Sequence, residues 1–409
     1  MHVHSSMTTL PNAQHAIRRK AYAPYYNLAN LALFQTDLSM PTLKLVEILD
    51  RVAGKASVDC LDLFRHLMVD ILSVTVFGSR PGSLDKWATN IQDPITTAVY
   101  DFPKRGILRS AVPTWAWNIV CSIPNNRWRQ ICASDKIIAE FVGGRLYEMR
   151  AKMQAGPIVG ETDTEKMPLL QQMLQHRSEG MSDQDIVSEG MGHIIAGVDT
   201  TSTTLSYLFW ELSRRRDIMR KIQAELDEVM SDRRVVPDVS TLCKMPYLNA
   251  FIKEGLRLYG AAPSLLERVV PSTTVSKVDD AFDMMGYALP PGTIVSTQAW
   301  SMHRDAEVFP SPETFLPERW LPVDGSDRED ERLLRMSQHS MPFGAGTRVC
   351  GGQNLARMTL RIAVAAIAAN FDITAKTAET NERSMEMRDA FVLFPASKEC
   401  KLIFTSRAH

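Results

Sequence analysis

Along most of the chain, apolar positions recur at three- and four-residue steps, the period of a helix with one face on a core. "MPTLKLVEILDRVAG" (40–54) and "VDCLDLFRHLMVDILSVTVFG" (58–78) show it most cleanly, and each closes on a glycine, as a helix stop should. The strand-like pieces "ERVVPSTTV", "GTIVSTQAW" and "AFVLFPASKECKLIF" all lie after residue 260. The pattern therefore predicts a mainly α chain with a minor β part. "QAGPIVGETDTEKMP" (154–168) reads as a surface loop and not as a domain boundary, so residues 1–409 are expected to form a single domain without internal repeats.

Composition narrows the function. With 45% hydrophobic and 23% charged residues and a net charge of -1, a large core is possible. A broad nucleic-acid surface is not expected, because it needs clustered Lys and Arg in excess. Small molecules are the expected partners. The cysteines at 60, 121, 132, 243, 350 and 400 show no CxxC pair or regular spacing, which fits reduced thiols. The chain has no apolar run long enough to cross a membrane, and "MHVHSSMTTLPNAQ" lacks the blocks of a signal peptide.

One cysteine stands in unusual company, inside "FGAGTRVCGG" (343–352). Gly344 and Gly346 begin a GxGxxG, but Val349 holds the third glycine position and no GK[ST] follows, so neither phosphate loop is present. Cys350 stands instead at the entrance to a helix from about 352 to 371, where free N–H groups and the helix dipole favour a thiolate. A nucleophile would need a basic partner, and nothing in one sequence pairs His303 or His339 with it. A metal ligand is the second alternative, with glycines at 344, 346, 351 and 352 admitting a flat cofactor and Arg348 supplying a cation. A buried structural cysteine is the third.

Three other stretches draw attention. "SDQD" (182–185) has the form of a capping box at the head of a long helix whose middle, Gly197 and Asp199 to Thr204, is made of poor helix formers. Such weakness in a buried helix marks either a site or a polar face with Thr hydroxyls bonded to the preceding turn. ExxR pairs occur at Glu211/Arg214, Glu254/Arg257 and Glu329/Arg332. His15 and Arg19 stand four apart on a predicted helix, able to reach one partner or to form a solvated face.

Phe343, Gly346, Arg348, Cys350 and Gly352, continued by "QNLA", resemble the haem-binding signature of the cytochrome P450 family at all of its fixed positions. The resemblance implies that family's fold and a haem b (iron protoporphyrin IX) whose iron takes the Cys350 sulfur as axial ligand, a thiolate being the donor that promotes O–O cleavage. Arg348 would meet a haem propionate, with Arg268, His15 and Arg19 as further propionate partners and Arg18 as a substitute reader. Ala196 to Thr201 resembles the oxygen-activation motif, where a break in the central helix opens a groove for dioxygen. Thr200 would hydrogen-bond the activated oxygen and Asp199 would relay protons to it. Only Glu254/Arg257 is followed by "FLPERW", so these two and Arg319 would form the family's buried network, leaving the other two ExxR pairs solvated.

The implied activity is a haem-thiolate monooxygenase that inserts one oxygen atom of O2 into an apolar small molecule, drawing electrons from an NADPH-dependent reductase. The style of the segments resembles filamentous-fungal secondary-metabolite members. A haem-thiolate isomerase or dehydratase is the alternative within chemistry. The chain also lacks roughly the first hundred residues that the family places ahead of the His15 helix, which leaves open a non-catalytic remnant. Full-length members would sit on the endoplasmic reticulum membrane, this chain as written in the cytoplasm. Expected pocket positions are His193, Ala196, Gly197, Ser264 to Leu266, Phe391 and Val392, and the strands near 268–276 and 292–299 are expected to expose unpaired edges.

Overall fold

The computed structural model describes residues 5–155, 166–175, 181–270, 282–323, 327–390 and 392–407. Most of the 154–168 loop, residues 271–276 of the strand expected near 268–276, and Phe391 lie outside them.

The molecule is organised on one central helix, Asp183–Arg214. Its start is the capping box read from the sequence: Ser182 Oγ accepts from the Asp185 N–H at 3.2 Å, and Asp185 Oδ2 accepts from the Ser182 N–H at 3.0 Å. Beside it runs Cys60–Phe77, buried along its whole length. Asp59 caps that helix by accepting from the Leu61 N–H, and Gly78 ends it at φ 64°, a left-handed position that glycine adopts without strain. The two helices pack closely, with the rings of Phe64 and Phe209 5.2 Å apart. Gly197 belongs to this contact: a Cβ there would come within 2.7 Å of Leu72 Cδ1. Its missing side chain faces a neighbouring helix, which corrects its reading as a pocket position.

On one side, Pro94–Ala111 and Asn126–Ala155 pack against each other and onto the central helix. On the other, the alanine-rich helix Gln353–Asn370 lies against Gln35–Val52 and Arg216–Val229. Small side chains along Gln353–Asn370 allow it to be buried among several partners at once.

The β part is minor, as expected. Lys401–Ser406 pairs antiparallel with Val58–Asp59 on one edge and Phe371–Thr374 on the other. The first of these is a strand that the sequence pattern missed, because two residues are too few to show alternation. Leu265–Val269 pairs with Ile294–Gln298, and Met387–Ala390 with Val392–Pro395. The two strands expected to present unpaired edges pair with each other as a two-stranded ribbon, so each keeps one outer edge without a strand beside it among the described residues, and Leu265, Val269 and Ile294 on this ribbon are exposed. Among the described residues no helix is long and apolar enough to cross a membrane.

Candidate functional site at the cysteine loop

Cys350 ends a loop closed by its own N–H, which donates to the Phe343 carbonyl at 2.9 Å. Inside the loop Gly344 and Gly346 take φ of 74° and 72°, a region that strains other residues. The sulfur faces the N–H groups of Gly352 and Gln353 at the head of Gln353–Asn370, and the residue is exposed. Desolvation by the surrounding protein nevertheless pushes the thiol above its ordinary value; the two N–H groups and Arg19 pull it down without winning. The N–H groups at the helix entrance thus favour the thiolate, as expected, but burial outweighs them. A bound metal cation would displace that proton.

The helix Asn12–Tyr22 carries the basic residues to this loop. Arg19 Nη1 donates to the carbonyls of Thr347 (3.1 Å) and Val349 (2.8 Å). Arg348 donates to the carbonyls of Thr9 and Leu10, each at 2.8 Å, and to Asn12 Oδ1 at 3.1 Å. His15 is buried beside both, and its pKa is lowered first by burial and then by Arg348 and Arg19. Neither arginine meets a carboxylate among the described residues. Three predicted anion partners thus converge, two of them arginines without a carboxylate among the described residues, and an exposed sulfur lies alongside. That donor set fits a haem: a soft anionic ligand for iron and a cationic cluster for two propionates.

The other predicted positions are placed differently. Arg18 turns away, donating to Asp185 at 2.5 Å and to the buried Glu189 at 3.1 Å, so it does not substitute for Arg19. Arg268 is exposed and donates to the Glu267 carbonyl at 2.7 Å; its strand flanks the loop, with Leu266 Cδ1 3.6 Å from where a Cβ of Gly344 would stand. Phe343 packs at the loop entrance under the Arg357 guanidinium, 5.2 Å from its ring centre. Tyr22 lies so close to Gly351 that a Cβ there would approach it to 2.8 Å. Ser264 donates to Asp389 at 2.6 Å, and Val392 is buried.

On the central helix, Thr200 donates to the Ala196 carbonyl at 2.6 Å, and the helix runs without a break through this turn, contrary to the expected opening. Asp199 is buried, its Oδ1 accepting from Arg65 Nε at 2.9 Å. Arg65 is the functional neighbour that sequence reasoning missed. Its signal was present, the one arginine in a largely apolar helix that is buried along its length, because a buried cation requires a partner. Its guanidinium also lies 4.4 Å from the centre of the Tyr100 ring. About two turns earlier, His193 Nδ1 bonds the Tyr26 hydroxyl at 2.9 Å while its buried Nε2 has no partner among the described residues.

The predicted network under the loop is present. Glu254 accepts from Arg257 at 2.8 and 2.9 Å, from Arg319 at 2.9 Å, from Trp320 at 2.9 Å and from the Leu316 N–H at 3.0 Å. Of the pairs expected to be solvated, Glu211 is instead fully buried, accepting from Arg214, Arg215 and, at 2.5 Å, the Tyr259 hydroxyl. Arg332 donates to the Arg319 carbonyl at 2.6 Å and so braces the first network, while the Glu329 side chain lies outside the described residues.

His303 joins that network to the cysteine loop. Its Nε2 accepts from the Met341 N–H at 2.8 Å, so the proton sits on Nδ1, which donates to the Arg257 carbonyl at 2.8 Å. The ring is therefore neutral and structural; His339 is bonded to the carbonyl of Arg335 on its own helix, and neither histidine is bonded to Cys350. Burial lowers the His303 pKa from 6.5 to about 4. Between those values the unfolded chain holds the extra proton, so stability present above pH 6.5 is lost as pH falls toward 4, by about 3 kcal/mol at the lower end. Urea midpoints measured between these limits should show that slope, and His303→Gln should flatten it; an equal slope in both proteins assigns the acid sensitivity elsewhere.

Comparison with known proteins adds an independent finding. The family model described as "Cytochrome P450" matches residues 38–402, a span that begins after the Asn12–Tyr22 helix. The cytochrome P450 monooxygenase penB of Penicillium thymicola is 29% identical over 385 residues, 92% of this chain and 81% of its own length. Fusicoccadiene C-8 hydroxylase of Alternaria brassicicola is 28% identical over 400 residues, covering 94% of this chain and 72% of its own. The cytochrome P450 monooxygenase aflV of Aspergillus parasiticus is 32% identical over 230 residues, 56% of this chain and 42% of its own.

Proposed function

Because this chain belongs to the cytochrome P450 family and is a haem-thiolate monooxygenase using O2, a small-molecule substrate and a redox partner, we propose that haem b sits between the cysteine loop and the central helix. Cys350 supplies the axial sulfur, and His15, Arg19 and Arg348 take the propionates, with Arg268 approaching from the flanking strand. The observation that carries this reading is the meeting of an exposed sulfur with His15 and two arginines, neither of which meets a carboxylate among the described residues. The bound haem supplies the oxygen-activating chemistry, and the protein supplies orientation, protons and exclusion of water.

Thr200 holds its hydroxyl on the turn that faces the cofactor space, anchored on the Ala196 carbonyl. Asp199 is fixed by Arg65 through one carboxylate oxygen, which leaves the other to exchange a proton with water and pass it toward Thr200. Thr200→Ala is expected to keep haem content while lowering product per O2 consumed by about tenfold, with the difference appearing as peroxide. Unchanged coupling in that variant removes Thr200 from proton delivery.

Electrons are proposed to come from an NADPH-dependent reductase through an acidic docking face. Lys253, Arg357 and Arg361 form a basic group beside Pro342 at the start of the cysteine loop. Burial and the neighbouring Arg357 and Arg361 lower the Lys253 pKa, and burial and Arg361 lower that of Arg357, as expected of cations gathered together. The proposed substrate is an apolar fungal secondary metabolite, supported by the relatives' names. The reading is tested by reconstituting the chain with haem and recording the reduced, CO-bound spectrum. The red-shifted band of thiolate ligation is expected, and its absence overturns the assignment of Cys350.

A further inference from the structure

A cavity of about 390 Å³ opens between the helix Arg216–Val229 and the strand Phe371–Thr374, and it shares no residue with the cysteine loop. The helix supplies Arg216, Met219, Arg220 and Gln223, whose three- and four-residue steps keep them on one face. The strand is the end member of its sheet, with Lys401–Ser406 on one side and the cavity on the other. Leu212 and Met219, both buried, add apolar surface, and Arg407 completes the lining with Asp372, Ile373 and Thr374.

Several of these polar groups are already satisfied. Arg407 donates to Asp227 at 2.7 and 3.1 Å and to the Ala369 carbonyl at 3.0 Å. The amide nitrogen of buried Gln223 donates to the Ala368 and Phe371 carbonyls, each at 3.3 Å, and to Asp372 Oδ1 at 3.1 Å, which turns its amide oxygen away from these three acceptors. Across the ladder the Arg407 N–H donates to the Asn370 carbonyl at 2.9 Å, and this fixes the alternation of bonded pairs. Phe371 and Ile373 therefore direct their N–H and C=O groups away from Lys401–Ser406, toward the cavity side. Arg216 and Arg220 differ from the rest. Both are exposed, and neither has a hydrogen bond or an ion pair among the described residues. They stand four positions apart, about 6 Å along the helix.

We propose that this cavity binds a short dicarboxylate. Each free guanidinium takes one carboxylate through its two-donor fork, and the Ile373 N–H donates to one of the carboxylate oxygens. The methylene spacer lies on Leu212 and Met219. Charge selects carboxylates over phosphates here. Two free cations balance two singly charged acids, whereas a diphosphate brings further negative charge beside Asp372.

The test is calorimetric titration of the haem-loaded full chain with glutarate. One equivalent should bind with a Kd of about 1 mM or below, butyrate, with a single acid, should bind about tenfold more weakly, and pyrophosphate no more tightly than glutarate. Arg216→Gln and Arg220→Gln should each weaken glutarate binding by about tenfold, while Arg129→Gln, which removes an exposed arginine elsewhere, should leave it within about twofold. Arginine modification by phenylglyoxal with peptide mapping gives a second readout on the unaltered chain. Glutarate should slow the reaction at Arg216 and Arg220 and leave Arg129 unchanged. The proposal is overturned if glutarate does not bind up to about 10 mM or leaves the modification of Arg216 and Arg220 unchanged. Butyrate binding equal to that of glutarate, or an equal loss in Arg129→Gln, also overturns it, because either reports general attraction of anions to the surface. Pyrophosphate bound about tenfold more tightly than glutarate assigns the cavity to phosphates and removes the dicarboxylate reading.

Discussion

Glu254→Ala is expected to destabilise the protein by about 3–5 kcal/mol, a large share of the stability of an ordinary domain. The carboxylate is fully buried and receives five donors, two from Arg257 and one each from Arg319, Trp320 and the Leu316 backbone. Removing it leaves two guanidinium groups in the interior with only carbonyls around them: His303 and Pro312 for Arg257, and Pro310, Ser311 and Thr314 for Arg319. Carbonyl dipoles soften that cost and do not neutralise it. Glu254→Gln keeps shape and acceptors and should lose less. The measurement is the denaturant midpoint at constant m value. A shift within about 1 kcal/mol for the alanine variant shows that the network contributes no more than surface pairs do.

Cys350→Ser is expected to do the opposite, sparing the fold and abolishing the activity. The side chain is exposed, so little packing is lost, and stability should stay within about 0.5 kcal/mol. A serine oxygen can still face the N–H groups of Gly352 and Gln353, but it is a hard, weakly acidic donor and does not take the place of a thiolate on iron. Monooxygenase turnover should fall by about 10³-fold or more, and the red-shifted CO band should vanish. A variant that keeps both the band and the turnover dismisses Cys350 as the ligand.

The parts of the site that could be read from the chain are those whose chemistry is local. The glycine-flanked cysteine, the capping box of Ser182 and Asp185, and the spacing of Glu254 from Arg257 each sit within a few residues. Their geometry follows from one turn of backbone. Whatever depends on a distant partner was hidden. Arg65 finds Asp199 across 134 residues, and nothing near either residue names the other. Glu211 and Arg214 have the same spacing as Glu254 and Arg257, yet only the docking of Tyr259 and Arg215 decides that Glu211 is sealed in. Gly197 has the look of a pocket residue until Leu72 is placed against it. The two-residue strand Val58–Asp59 carries no period at all, and it exists because Lys401–Ser406 gives it a ladder.

That small ladder constrains the order in which the protein can be built. The Gly54 N–H donates to the Phe404 carbonyl at 2.8 Å, and the Cys400 N–H donates to the Asp59 carboxylate at 2.9 Å across 341 positions of chain. Asp59 is also the cap of the buried helix Cys60–Phe77, against which the central helix packs. On the ribosome this helix pair emerges early, with the ladder partner of its leading strand still to be made. Closing so long a loop is slow and entropically costly, so docking of the last strand should be a late event in folding. During synthesis the helix pair must then persist in a partly assembled state with an open strand edge, the form most exposed to mispairing and to capture by chaperones.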